Sequence, residues 1–207
     1  GDRPTWIAGN TKESLSQPRG MAKEATLYQH QVAATMIKID GKDGIITTDN
    51  QGRARYYPIG TGGRVSAADQ EVTLTWTTPN SDKAPVPTSM ATTSQGNLLI
   101  AIPNAIIKFN VVKSNPPTLK ETKRWTRPVS PETSDFGSTL HLSASDGRLW
   151  ISDADHSRIL CLDDTTFTTL AELKEGLNQP DTICAAGNQA VVYDAQDMIL
   201  KKLCWMQ

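Results

Sequence analysis

Residues 137–162 read GSTLHLSASDGRLWISDADHSRILCL, and this stretch decides the fold. Its first part alternates apolar and polar side chains, which is the period of a half-buried strand. The dipeptide Asp146-Gly147 that follows is typical of a type I′ hairpin turn. Short apolar segments then alternate with turn residues. The stretch and its continuation therefore predict a four-stranded antiparallel sheet, with strands at 140–144, 149–152, 158–162 and 168–173.

The same unit recurs along the chain at 36–57, 89–112 and 183–203. In each copy a strand is followed by a Gly-containing turn and a second short apolar strand. The turn glycines are Gly44, Gly96, Gly147 and Gly187, and they are separated by 52, 51 and 40 residues. A period of roughly 40–50 residues with four short strands is typical of a β-propeller blade. The sequence therefore predicts an all-β propeller of four-stranded antiparallel blades, with residues 1–207 as one domain.

The number of blades stays open between four and five. Leu-Ser-Gln-Pro at 15–18 is echoed by Leu-Asn-Gln-Pro at 177–180, which lies 162 residues later. At about 40 residues per blade this distance spans four blades, and a fifth begins at the echo. The last repeat ends after its third strand, and the segment 5–8 precedes any first strand. We therefore expect the N-terminal strand to complete the last blade and close the ring, unless the chain is part of a larger propeller.

Composition narrows the function classes. The formal net charge is −1, so an electrostatic nucleic-acid surface is not expected. No apolar run approaches the roughly 18 residues needed to cross a bilayer. Three histidines are too few for a zinc hydrolase, and the three cysteines show no metal-ligand spacing, which predicts thiols packed in the core. The chain begins without Met, which leaves open that it is part of a larger multidomain protein.

Two segments carry a family resemblance. Residues 146–159, DGRLWISDADHSRI, and residues 43–53, DGIITTDNQGR, resemble the repeat of NHL propellers. The opening TWIAGN at 5–10 is similar to the outer strand and turn of that family. The other repeats depart from the pattern, because Ile102-Pro103 replaces the Asp and the last repeat lacks the Arg. The resemblance implies the propeller fold, which hosts unrelated functions.

Asp49, Asp153 and Asp194 recur at one position of the repeat. An Asp there can accept hydrogen bonds from the backbone just after it and can pair with Arg53 or Arg158. The alternative is a carboxylate cluster near the propeller axis that holds Ca²⁺ or a similar hard cation. The related lactonases and esterases build such a site from Glu, Asn and Asp, a series that this chain does not show.

Two clusters combine basic and aromatic residues, which can contact a partner. One lies in a predicted outer strand, where charged side chains also block unwanted strand pairing. The other lies in a predicted third strand. The candidate partner-binding residues are Lys123, Arg124 and Trp125 in the first cluster and Arg55, Tyr56 and Tyr57 in the second.

The sequence favours a non-catalytic interaction module that binds a protein or glycan partner through loops on one face. A periplasmic or extracellular location and no cofactor are expected, and no catalytic residue is assigned. Long connectors at 60–70, 79–87 and 112–117 differ between the repeats and would carry partner specificity. The alternative is a metal-dependent hydrolase of the lactonase or esterase type, with Ca²⁺ held by Asp49, Asp153 and Asp194.

Overall fold

Short alternating segments separated by Gly, Asn and Asp turns form 15 strands in the part of the chain that the computed structural model describes. The structure describes residues 31–60, 72–77, 85–112, 117–129 and 134–204. By compactness the chain divides into two units. The first contains residues 1–86 and 111–120, and the second contains 87–110 and 121–207. The single domain predicted for residues 1–207 stays a prediction.

The first unit contains blade A, an antiparallel sheet in the order β1-β2-β3-β4. The bounds are Gln31–Ile39 for β1, Lys42–Asp49 for β2, Ala54–Pro58 for β3 and Val72–Thr77 for β4.

One pairing in this unit departs from the expected antiparallel plan. The first half of β4 pairs with β3, but residues 75–77 pair in parallel with residues 118–120. Because β4 keeps its bonds to β3 only as far as Leu74, the rest of the strand is available to another partner.

The second unit contains blades C and D and most of blade B. Blade B comprises β5 (Ser89–Thr92), β6 (Leu98–Ile102), β7 (Ala105–Val112) and β8 (Thr118–Trp125), of which residues 111–112 and 118–120 belong to the first unit.

Blade C follows with β9 (Leu140–Ser145), β10 (Arg148–Asp153), β11 (Arg158–Asp163) and β12 (Thr169–Leu173). A 3-10 turn at Ala154–His156 joins its two middle strands.

Blade D has three described strands, β13 (Pro180–Ala186), β14 (Gln189–Asp194) and β15 (Ile199–Cys204). The predicted strands lie within three residues of these bounds at each end, except that β1 begins at residue 31, five residues before the predicted start of its repeat. The segment 5–8, which was expected to complete the last blade, lies outside the described residues.

The turns follow from residues that tolerate positive φ. Asp146 and Gly147 have φ of 50° and 73°, as a type I′ turn requires. In blade A the predicted turn at 42–44 is wrong, because the chain turns at Asp40 and Gly41, with φ of 52° and 76°. Gly44 lies inside β2, where a Cβ atom would overlap the ring of Tyr56.

Apolar side chains fill the space between successive sheets of the second unit. One core joins blades B and C and includes Leu99, Ile106, Leu149 and Leu160, all fully buried. The other core joins blades C and D. Its members are Trp150, Ile159, Cys161, Leu177, Ile183, Ala190 and Val192.

Polar links tie the first strands of these sheets together. Ser89 Oγ accepts a hydrogen bond from Leu142 N at 2.9 Å, and Ser143 Oγ accepts one from Ala185 N at 2.8 Å. His141 Nε2 lies 2.9 Å from an oxygen of Asp181. Because these bonds satisfy polar groups between neighbouring sheets, they fix how each blade sits on the next.

No helix in the described part of the chain is long and apolar enough to cross a membrane. The thiol prediction is confirmed for Cys161, which is buried, and wrong for Cys184 and Cys204, which are exposed on blade D.

Candidate functional site

The three recurring aspartates occupy the same place in their blades. Asp49 ends β2, Asp153 ends β10 and Asp194 ends β14, and all three side chains are fully buried. A buried carboxylate requires hydrogen bonds and a compensating charge. Its partners therefore show what each aspartate does.

Asp49 closes the turn between β2 and β3. Its Oδ1 accepts hydrogen bonds from the backbone N–H of Gln51 and Arg53 at 2.9 and 3.0 Å. The Nε of Arg53 donates to Oδ2 at 2.5 Å. Backbone and guanidinium together complete the environment that the turn interpretation predicts.

Asp153 belongs to a buried network around Arg158, whose side chain is also fully buried. Arg158 Nε and Nη2 lie 2.9 and 2.8 Å from Asp153 Oδ2. The guanidinium also donates to Ser134 Oγ, to the carbonyl of Asp135 and to Glu172. His156 Nδ1 lies 3.0 Å from the same aspartate. The network ties three segments of blade C together.

Asp194 has a cation that the sequence analysis missed. Lys201 Nζ donates to Asp194 at 2.7 Å and to Asp197 at 2.6 Å. Burial opposes ionisation of Asp194. The hydrogen bonds from Lys201 and from the backbone N–H of Asn178 and Gln179 outweigh burial, and they hold the pKa of Asp194 well below its ordinary value of 3.8.

Lys201 was missed because it follows its aspartate by seven residues, whereas Arg53 and Arg158 follow theirs by four and five. The turn between β14 and β15 has the same four residues as the turn between β10 and β11, but Lys201 is the third residue of β15, whereas Arg158 is the first residue of β11. A search for any base early in the third strand would have found it.

The geometry therefore gives each aspartate a structural task within its own blade. The described residues contain no group of three or more His, Cys, Asp or Glu side chains that could hold a metal ion. A divalent ion at these aspartates would have to displace Arg53, Arg158 or Lys201. The predicted Ca²⁺ site stays a prediction for metal analysis to test.

The structure corrects the prediction that the cluster in β3 forms an accessible surface. Arg55, Tyr56 and Tyr57 are 8%, 3% and 2% exposed. Strand β3 is an inner strand that pairs with both β2 and β4. Tyr56 donates its hydroxyl to the carbonyl of Lys42 at 2.5 Å, and burial raises the pKa of Tyr57 to about 12. These side chains pack blade A and offer no accessible patch.

Of the predicted cluster in β8, two residues lie close together and the third does not. The ring of Trp125 is buried and stacks on Phe167, with centroids 3.6 Å apart and planes 5° from parallel. Lys123 Nζ lies 5.1 Å from the Trp125 ring centroid. Arg124 turns instead to Glu121, with two contacts of 3.0 Å. Lys123 and Arg124 are exposed, and their role toward a partner stays a prediction.

An apolar surface appears where no site residue was predicted. Ten large apolar side chains are exposed among the described residues, and four of them lie in the last hairpin. Met198 and Leu200 are the most exposed, at 77% and 71%. This surface consists of Val191, Met198, Ile199 and Leu200, and we call it the open edge.

Comparison with known proteins supports the fold and assigns no family. No family model matches the chain, and no curated protein matches it. Among solved structures, the chain is similar to the β-propeller domain of Cps50 (Swd1) from Myceliophteria thermophila, with a TM-score of 0.53 at 11% identity. It is also similar to the WD40 repeats of RRP9, with a TM-score of 0.56, and to U3-55K, with a TM-score of 0.50, both at 11% identity.

These similarities cover 85%, 92% and 93% of this chain but only 51%, 54% and 56% of the three solved chains. The chain thus spans about half of the length of those structures. Together with the sheets described above, they establish the fold as an all-β propeller. The NHL resemblance and the number of blades stay predictions.

Proposed function

We propose that the chain is a non-catalytic propeller module that binds a protein partner. The observation that carries this proposal is the open edge, where four exposed apolar side chains lie in one hairpin, because exposed apolar patches mark interaction sites on soluble proteins. Propeller structures with the same fold include the WD40 repeats of RRP9. The aspartates that a metal-dependent hydrolase would use are engaged in turns and ion pairs.

A protein partner fits the surface better than a glycan. Sugar recognition relies on exposed aromatic rings that stack on the pyranose faces. Among the residues that the structure describes, no Trp, Tyr or Phe is exposed, and only Trp76 and Tyr193 are partly so. Aliphatic side chains such as Met198 and Leu200 suit the apolar surface of a protein. The connectors predicted to carry specificity lie largely outside the described residues.

The test is binding of an identified partner in purified form. Proteins captured by the immobilised chain are identified, produced separately and titrated against the chain by calorimetry. The proposal predicts saturable binding by one such protein, weakened by Met198→Asp. The matched variant Leu170→Asp also places a carboxylate on an exposed apolar position, in β12, and should bind as the parent does.

Two results would contradict the proposal. One is the absence of any protein that binds saturably. The other is turnover of a lactone or ester by the purified chain that depends on Ca²⁺ and is lost in Asp153→Asn. That second result would establish the hydrolase alternative.

A further inference from the structure

The strand β15 is exposed on both of its faces. Ile199 points to the side on which blade D packs against blade C, and Leu200 points to the opposite side, yet they are 49% and 71% exposed. If only the outward face of blade D were uncovered, the side chain of Ile199 would be shielded by blade C. Exposure on both sides is expected where a strand has no neighbour along its outer edge.

The third strand of blade C shows what a neighbour does. Asp153 pairs with Arg158 and Asp194 pairs with Ile199, so the two strands can be aligned residue by residue. Arg158, which aligns with Ile199, is 0% exposed and contacts Glu172 of the fourth strand β12, whereas Ile159, which aligns with Leu200, is covered by the core between blades C and D. Strand β12 lies beside β11 along this stretch, whereas the described sheet of blade D ends at β15.

We propose that β15 is an open pairing edge that binds an extended segment of a partner protein as an antiparallel fourth strand. The segment carries an apolar side chain opposite Leu200 and a carboxylate opposite Lys202. This inference rests on the proposed function and names the surface and the kind of segment that it takes. Strand addition of this kind supplies affinity through the backbone and specificity through alternate side chains.

The charge on β15 indicates which kind of segment would bind beside it. Lys201 is engaged with Asp194 and Asp197, but the neighbouring Lys202 is exposed and makes none of the ion pairs found among the described residues. An acidic side chain directly across the strand pair would complement it. The chain's own segment 5–8, Thr-Trp-Ile-Ala, offers no carboxylate. A partner strand with alternating apolar and acidic residues fits the edge better.

Strand β12 supplies a probe with the right geometry. In blade C, Ala171 lies opposite Cys161, and Cys161 aligns with Lys202. The heptapeptide TTLAELK, residues 168–174, with Glu in place of this Ala would therefore bring a carboxylate to Lys202. The probe is TTLEELK, and its matched control is TTLKELK, which brings a like charge to the same place.

The reactivity of the chain's own three cysteines shows whether a strand is bound beside β15, so no cysteine has to be introduced. Cys204 lies on β15 itself. Cys184 shares the outward face of blade D but lies two strands away on β13, and both are exposed. Cys161 is buried and serves as the protected reference. A strand beside β15 shields Cys204 alone, whereas a protein surface packed on the outward face shields Cys184 as well.

The experiment measures the alkylation rate of each cysteine by mass spectrometry. With millimolar TTLEELK we expect alkylation of Cys204 to slow about tenfold, the factor for a site that is about 90% occupied, and Cys184 to react unchanged. TTLKELK should protect less. The variant Leu200→Asp should lose the protection, and Leu170→Asp should retain it.

Several results would overturn the inference. Cys204 left unprotected by TTLEELK would refute the pairing edge, and equal protection by both peptides would refute the carboxylate preference. Joint protection of Cys184 and Cys204 would indicate a packed face. Protection without peptide that rises with protein concentration would indicate a second copy. Protection without peptide that is relieved by Trp6→Pro would indicate the segment 5–8.

The outcome also separates this inference from the proposed function. A purified partner that binds saturably but leaves Cys204 reactive would leave the function standing and refute the pairing edge. If the peptide protects Cys204 and no protein partner binds, the proposed function fails while the edge remains available for strand pairing.

Discussion

Blades C and D share one plan of strands but differ in how their third strands are buried. In β11 every residue except Asp163 is buried, whereas in β15 only Lys201 and Leu203 are even partly buried. Both strands pair with a second strand that ends in a buried Asp. The difference lies in their neighbours, because β11 has β12 on its outer side and a blade packed against its face. Burial of a propeller strand is thus supplied largely by what lies beside it.

The largest expected effect comes from the ion pair at the end of the second strand. In blade C both Asp153 and Arg158 are fully buried. Arg158→Ala should therefore destabilise the chain by about 3–5 kcal/mol, because it leaves an uncompensated buried carboxylate. Lys201→Ala in blade D should cost much less, since water reaches that lysine. Urea unfolding of both variants measures this, and equal losses would contradict the comparison.

The next largest effect is the loss of stability when apolar residues at aligned positions of β11 and β15 are truncated. Ile159→Ala should cost about 2–5 kcal/mol, because it leaves a cavity between blades C and D. Leu200→Ala, at the aligned and exposed position, should stay within about 0.5 kcal/mol of the parent. Thermal and urea unfolding provide both values. A large loss in the Leu200 variant would show that the open edge is covered in solution.

Acid should affect blade D through Asp194. Its pKa is lowered in the folded chain, so the carboxylate contributes stability above the ordinary Asp value of 3.8 and loses that contribution as pH falls below it. Asp194→Asn should therefore be less stable than the parent at pH 7, and the gap should narrow at pH 3. Urea titrations at the two pH values measure the gap. A gap that stays constant would mean that Asp194 is not held ionised by Lys201.

The smallest expected effect is that of metal removal. Because basic side chains and backbone N–H groups already neutralise Asp153 and Asp194, EDTA should leave Tm unchanged in differential scanning calorimetry. Asp49, paired with Arg53, gives the same expectation for blade A. A fall in Tm that Ca²⁺ reverses would support the metal site considered in the sequence analysis.

Much of the fold could be predicted from the sequence because the repeat fixes strand positions through local patterns. Alternation at 140–144 and the Asp146-Gly147 turn are decided by nearby residues, and the strands predicted at 149–152 and 158–162 lie within one residue of β10 and β11 at each end. The turn at Gly41 was misplaced by three residues, because Gly44 also satisfies the turn pattern. Gly44 is instead required by the close approach of Tyr56.

The site was less predictable because burial depends on neighbours that are distant in sequence. Tyr56 and Tyr57 look like a surface patch in the sequence, but both are buried in the folded chain. Lys201 reaches Asp194 from the third position of β15, outside the turn in which the aspartate's partner was sought. The exposure of Leu200 depends on which elements pack on blade D, and no local property of that residue indicates it.

Hydrogen exchange tests most directly whether the outer edge of β15 is unpaired. Amides in β11 have strands on both sides, whereas those of β15 that point away from β14 have no partner in the described sheet. Mass spectrometry of deuterium uptake should therefore show residues 199–204 exchanging much faster than residues 158–163 in the free chain. Equally slow exchange in the two strands would contradict the account, because β15 would then be covered without a partner.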